Sequence, residues 1–187
     1  MEIREEEPGD HEGVRVLHTR AFGDHGPADH GHVVAKLVDA LRTEYLPERG
    51  LSLVAVDGGQ VVGHVLFTRS LLDAPRRLVE VQVLSPLGVL PERQRQGVGS
   101  ALVREGLRRL AATTVPVVFL EGSPAYYSRF GFAPGGPLGF RKPSLRIPDP
   151  GFQVVRLPAH EEWMTGTLVY SPIFWELDCV GLRDPAA

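Results

Sequence analysis

The segment from Val83 to Leu102, VLSPLGVLPERQRQGVGSAL, holds the residues whose types and spacing point most directly to chemistry. An apolar run ends at Pro91, and a polar loop containing glycine opens straight into a helical pattern. The first amides of a helix lack internal partners and carry the positive end of its dipole. Gly97 and Gly99 allow a ligand to approach that backbone without Cβ interference, and Arg93 and Arg95 add positive charge beside it. Such a junction suits an anion, most naturally phosphate oxygens. It is neither of two familiar phosphate loops. No Lys follows the glycines as a P-loop requires, and Leu102 stands where a dinucleotide fingerprint needs its third glycine.

The elements that must position this junction follow from periodicity. A helix is expected after Pro8-Gly9-Asp10, capped by Asp10 and presenting Val14, Leu17 and Ala21. A second presents Val34, Leu37, Val38 and Leu41. Leu51 to Val56 and Val61 to Phe67 read as strands joined by a tight turn at Asp57-Gly58-Gly59. A long strand runs from Leu78 to about Leu90. From Gly99 the period becomes helical, with Val103, Leu107, Leu110 and Ala111 on one face. A buried strand follows from Val115 to Leu120. Ser123 and Pro124 then start a short helix that Gly131 closes. Residues 133–150 are loop-rich, and Phe152 to Leu157 and Met164 to Val169 read as further strands. Alternating helices and strands make the class α/β or α+β with a mixed sheet.

The chain has 187 residues, 43% hydrophobic, and a net charge of −3. That length fits one domain over 1–187, with 133–187 as a loop-rich C-terminal part completing the sheet. The near-neutral balance argues against nucleic acid as the partner. Cys179 is alone, so neither an internal disulfide nor a thiolate metal cluster is expected, and a reducing cytoplasm is the simplest setting. No apolar run approaches the roughly 18 residues of a membrane span.

The pattern Gln94-x-x-Gly97-x-Gly99, after the strand end Val89-Leu90-Pro91, resembles the acetyl-CoA motif of the GNAT superfamily of N-acetyltransferases. Tyr126-Tyr127-Ser128-Arg129-Phe130-Gly131-Phe132 is similar to the aromatic segment that follows the next strand in that superfamily. By motif and element order the resemblance covers Leu51 to Phe132. GSPAYYSRFGF and WMTGTLVY further resemble a bacterial branch of predicted N-acetyltransferases. The resemblance implies the GNAT fold, a central mixed and largely antiparallel sheet splayed at the cofactor site and flanked by helices. It implies acetyl-CoA as co-substrate, no metal, and direct attack of a primary amine on the thioester. The backbone of Leu87, Gly88 and Val89 is then expected to pair with the pantetheine arm. The amides of Arg95, Gln96, Gly97, Val98, Gly99 and Ser100 are expected to hold the pyrophosphate.

Tyr127 stands where many relatives carry the acid that protonates the leaving thiolate, and a phenol is protonated at neutral pH. The alternative is an amphipathic core aromatic whose hydroxyl caps a buried acceptor. For the base, Glu80 on the strand leading to the cofactor is the first candidate, against a solvated strand charge. Glu121 is the second, and could instead bind Arg129 or a loop amide. His64 is the third, against a satisfied structural histidine. His25, His30 and His32 with Asp24 and Asp29 match no zinc spacing and read as a solvated loop. Trp163 and Trp175 read as cover for the core or a cleft edge. Other readings stay open: another short acyl-CoA, a non-catalytic acyl-CoA-binding module, or a binder of a different phosphate ligand. The acceptor loops are expected at Phe22 to His32 and Gly135 to Pro150. An exposed C-terminal strand rich in aromatics is compatible with a homodimer.

Overall fold

A computed structural model describes residues 1–23, 29–46 and 48–183, which divide into two compact units. The fold class is mixed α/β, with a mostly antiparallel, open sheet and flanking helices. Residues 1–68 and 84–109 form the first unit, and residues 69–83 and 110–187 the second. Strands β3 and β4 run from one into the other.

In the first unit, β1 (Glu2–Glu5) pairs antiparallel with β2 (Gly50–Asp57), from Glu2↔Val56 to Glu5↔Leu53. No strand is expected from so acidic a segment, but an edge strand with one half-solvated face accommodates charge. Asp10 does not cap a helix in the simple sense expected. It ends a 3₁₀ turn, Pro8–Asp10, where its carboxylate accepts from the Glu7 amide and from Arg4. Helix α1 (His11–Gly23) begins one residue later and packs on α2 (His30–Tyr45). Val14 and Leu17 of α1, and Val34, Leu37, Val38 and Leu41 of α2, are buried as their spacing predicts. The β2–β3 hairpin turns at Gly58 and Gly59, both at positive φ, and β3 (Gln60–Asp73) is longer than its apolar run suggests. Beyond β4 (Leu78–Val89), helix α3 (Val98–Leu110) buries Val98, Leu102, Val103 and Leu110. Its inward stripe lies nearer the N-terminus than the expected one. Leu107 is only half-buried, while Val98 and Leu102 pack over Gly63 of β3 and Gly106 lies against the Phe67 ring.

In the second unit, β4 pairs parallel with β5 (Val117–Glu121) at Gln82↔Val118 and Val83↔Phe119. Helix α4 (Pro124–Tyr127) and a 3₁₀ turn (Ser128–Phe130) follow, closed by Gly131 at φ 87°. Ser123 precedes α4 through its carbonyl, which accepts from Tyr126 and Tyr127, and not through the side-chain cap expected of it. The irregular region holds two short strands, β6 (Ala133–Pro134) and β7 (Phe140–Arg141). Strand β8 (Phe152–Arg156) pairs antiparallel with β5 and β6, and β9 (Gly166–Val169) with the end of β3. Phe119, Phe140 and Phe152 fill the core, with ring centroids 5.2 and 5.6 Å from Phe119. The aromatic C-terminal segment, expected as a strand, is helix α5 (Pro172–Glu176), whose Ser171 side chain accepts from the Ile173 amide.

Candidate functional site

The strand end and the loop of the motif meet in the first unit. The Leu90 amide bonds to the Val62 carbonyl at 3.0 Å, and Gln94 Nε2 donates to the Val89 carbonyl at 3.2 Å. Gln96 Nε2 donates to the Glu92 carbonyl at 2.9 Å. Between these bonds the chain turns through two left-handed residues, Arg95 at φ 59° and Gly97 at φ 86°. A side chain other than glycine's is strained at Gly97, and a Cβ built there would meet nothing within 4 Å. The residue thus faces open space at the start of α3, where the Gly97 carbonyl takes the Ala101 amide at 2.9 Å. Arg95, Gln96 and Gly97 are exposed, whereas Val98 and Gly99 are buried. Arg93 is not the positive neighbour expected, because it forms an ion pair with Asp57. Arg20 likewise holds Glu92, at 3.0 Å. The residues present fit a phosphate group: exposed amides at a helix N-terminus, an uncovered glycine and the Arg95 side chain beside them.

Leu87 and Val89 are partly exposed, while Gly88 between them is buried. A Cβ at Gly88 would lie 2.7 Å from Leu17 Cδ2 and 2.8 Å from His18 Cε1 and Nδ1. Helix α1 therefore presses on the backbone of β4 at the residue placed at the centre of the pantetheine strand.

Tyr127 and Glu80 belong to the second unit. Tyr127 is half-buried, and its ring lies against Gly122 and meets Tyr126, Phe130 and Phe132 edge-on. Burial raises its phenol above the ordinary tyrosine range, so the proton is firmly held. Glu80 is 51% exposed and pairs with Arg69 at 2.5 Å. Glu121 bonds to a loop amide, as its alternative reading expects, and not to Arg129. It accepts from the Tyr170 hydroxyl at 2.8 Å and the Gly181 amide at 2.9 Å, and burial raises its carboxyl. Arg129 sits over the Tyr126 ring at 4.9 Å. Trp163 is half-buried and carries Arg76 and Arg77 over its ring at 5.2 and 5.3 Å. Burial pushes the Cys179 thiol up to about 11, away from nucleophile duty.

Sequence reasoning left a buried polar chain in the first unit unassembled. Arg42 donates twice to Glu6, at 2.6 and 3.2 Å, and Ser52 Oγ donates to the same carboxylate at 2.6 Å. His64 Nε2 is 2.8 Å from Ser52 Oγ, and His64 Nδ1 is 2.7 Å from His18 Nε2. Both histidines are fully buried, and burial lowers both below the usual imidazole range. Besides His64, which fits the satisfied structural histidine of its alternative reading, the local signal was His18 on the apolar stripe of α1, next to Leu17. Asp24 and His25 lie outside the described residues. His30 meets the ring of Phe22 at 6.0 Å, and no cluster of three metal-ligating side chains occurs among the described residues. No described helix is long and apolar enough to cross a membrane.

Comparisons with known proteins bear on this geometry. The family model described as an acetyltransferase (GNAT) domain matches residues 2–135. The chain is 37% identical over 131 residues to the N-acetyltransferase YjhQ of Escherichia coli K12, covering 70% of this chain and 68% of that one. It is similar to the crystal structure of YhbS, a GNAT family N-acetyltransferase of Escherichia coli in complex with CoA. There the TM-score is 0.77 and the identity 33%, over 92% of this chain and 91% of that one. A GNAT family acetyltransferase of Brucella melitensis in complex with acetyl-CoA superposes with a TM-score of 0.72 at 31% identity, covering 92% and 97%.

Proposed function

Because this chain belongs to the GNAT family of acetyltransferases, we propose that it transfers an acetyl group from acetyl-CoA to a primary amine by direct attack on the thioester. The observation that carries the reading is the left-handed Gly97, uncovered at the N-terminus of α3 and tied back to β4 through Gln94. Amides from Arg95 to Ser100 would receive the pyrophosphate, and the Leu87–Val89 backbone the pantetheine arm. Similar proteins bound to CoA and acetyl-CoA support this assignment. The Val89 carbonyl already accepts from Gln94, so pairing there either uses other backbone groups or displaces an exposed side chain.

In the chemical step, the amine nitrogen forms the new C–N bond as the C–S bond breaks. A proton leaves the ammonium and another reaches the departing sulfur. Tyr127 would supply the second, since its burial keeps the phenol protonated well past neutral pH. Glu80 would take the first. Glu121 is held by Tyr170 and Gly181, and His64 is enclosed in its own chain, whereas Glu80 is half-exposed and its Arg69 partner is a surface one. The lone cysteine suits a reducing cytoplasm.

Gly97→Ala and Gly97→Glu share the same backbone strain, and only the second brings a carboxylate to the phosphate site. Titration calorimetry with CoA should show measurable binding for the alanine variant and none for the glutamate variant. Glutamate binding equal to wild type would overturn the assignment. With binding intact, thiol release is to be followed over a panel of amines, amino acids and peptides; release with none would make this a binding module. In that assay Tyr127→Phe should lower kcat by about 10²–10⁴-fold, and Glu80→Gln should flatten the pH profile of kcat/KM. Wild-type turnover or an unmoved profile, respectively, removes that residue from the chemistry.

A further inference from the structure

The buried chain from Arg42 to His18 has a direction. Ser52 has one hydroxyl proton and gives it to Glu6, so it must accept from His64 Nε2–H. A neutral His64 then presents Nδ1 as an acceptor, and His18 Nε2–H must be its donor. The network thereby assigns both tautomers and leaves one end open. His18 Nδ1 is a bare lone pair, fully buried and without a hydrogen-bond partner among the described residues.

That end lies against Gly88. The Cβ position of an L-residue is where one Gly88 Cα–H points, and this position is 2.8 Å from both Nδ1 and Cε1 of His18. The strand thus turns a bare Cα–H, a weak donor, toward the Nδ1–Cε1 side of the ring and toward Leu17 Cδ2, which lies 2.7 Å from the same position. The ring has little freedom. Its far edge is held by His64, and its face stacks on Phe22 with centroids 5.8 Å apart and planes at 21°. Behind His64, the chain passes through Ser52 of β2 to Glu6, to Arg42 of α2, and from Arg42 to Asp39 at 2.6 Å. An apolar side chain on α1 would pack here without any of these bonds. What the polar chain adds is a single orientation of the ring.

We propose that His18 is a positioning residue for the acyl-CoA arm, its ring fixing the Gly88 backbone of β4 in the conformation that receives pantetheine. The proposal rests on the acyl-CoA reading above. His18 is fully enclosed and touches neither substrate in this role, so it acts on binding and not on the bond changes.

The test is a double-mutant cycle on CoA affinity. His18→Ala should raise the CoA Kd and the acetyl-CoA KM about tenfold, with kcat changed by less than about threefold. Gly88→Ala forces a methyl group against the ring and should weaken binding by more than about tenfold. In the His18→Ala background the methyl keeps its close contact with Leu17 Cδ2 but loses the one with the ring, so the double variant should bind CoA more tightly than Gly88→Ala alone. Additive losses, or an unchanged Kd in His18→Ala, overturn the proposal. So does a loss of kcat with KM preserved, or a lower melting temperature with Kd unmoved. Should His18→Ala not fold, His18→Gln keeps a donor to His64 Nδ1. It should raise Kd by about threefold or more, and an unaltered Kd again refutes the idea. Failure of the wild-type protein itself to bind CoA is a distinguishable result: it overturns the acyl-CoA reading, and with it this proposal, which rests on it.

Discussion

Glu6 in the first unit and Glu121 in the second are carboxylates withdrawn from water, and each accepts from a hydroxyl, Ser52 Oγ in one case and the Tyr170 phenol in the other. Their titrations are displaced in opposite directions. Burial alone would raise Glu6, but His64, Arg42 and Ser52 together outweigh it and hold the carboxyl far below its ordinary range. Burial also raises Glu121, and there the bonds from Tyr170 and Gly181 do not cancel it. The difference lies in the partners, His64 and a contacting guanidinium for Glu6 against neutral donors for Glu121. Arg42 lies on the Glu6 carboxylate with two bonds, while Arg146 acts on Glu121 only through its field. Neutral donors solvate a buried carboxylate, but a contacting cation decides whether it stays ionised.

Removing that cation is the strongest way to break the contrast. Arg42→Met leaves the Glu6 side chain, only 2% exposed, charged without its counter-ion. Stability should fall by about 3–5 kcal/mol in urea denaturation at neutral pH. Adding Glu6→Gln should recover part of the loss. No recovery would mean that Arg42 matters through its packing and its Asp39 bond. Glu121→Gln should cost less, about 1–3 kcal/mol, because the amide must turn a donor toward either the Gly181 N–H or the Tyr170 hydroxyl. Its pH dependence has a definite sign. Glu121 titrates higher folded than unfolded, so its contribution is complete below the ordinary glutamate range and is lost as pH rises through the folded value. Glutamine does not titrate, so the variant's deficit should shrink as pH rises above the ordinary glutamate range. For Glu6 the sign is reversed, its contribution being lost as pH falls below the ordinary range. A Glu121→Gln deficit that grows with pH would erase the distinction between the two sites.

Local order and long-range pairing were not equally legible. The Asp57-Gly58-Gly59 turn, the change of period at α3 and the glycines after Pro91 depend on neighbours within a few residues, and each stands where its spacing predicts. Ser171-Pro172 shows the same helix-start pattern as Ser123-Pro124, so α5 was readable there. The aromatic content of the segment argued for a strand instead. Side-chain partners brought together from distant positions were beyond periodicity. Arg93 reads as positive charge beside the junction until the hairpin turn sets Asp57 against it, thirty-six residues earlier in the chain. His18 looks like an interruption in the α1 stripe until β3 and β4 bring His64 and Gly88 against it. The turn from Pro91 into α3 was legible as a unit, whereas the buried polar chain beside β4 required Glu6, His18, Arg42, Ser52 and His64 at once.

The finest test of the contrast is Tyr170→Phe. The ring is 6% exposed and packs on Phe174 at 5.0 Å, so the variant keeps the packing and removes only the hydroxyl that reaches Glu121. Burial and the adjacent Glu121 hold that phenol well above its ordinary range, so the hydroxyl is a proton donor throughout the accessible pH scale. At neutral pH its loss should cost about 0.5–1.5 kcal/mol, the net worth of one hydrogen bond, since the Gly181 amide remains on the other oxygen. With one donor fewer, Glu121 should titrate still higher. A proton on the carboxyl removes the charge the lost hydroxyl had stabilised, so the deficit should narrow as pH falls toward 5 in paired urea titrations. A deficit that holds constant with pH would show that Tyr170 solvates a neutral acid. Glu121 would then be protonated at neutral pH, and the two carboxylates would differ in charge state as well as in the strength of their partners.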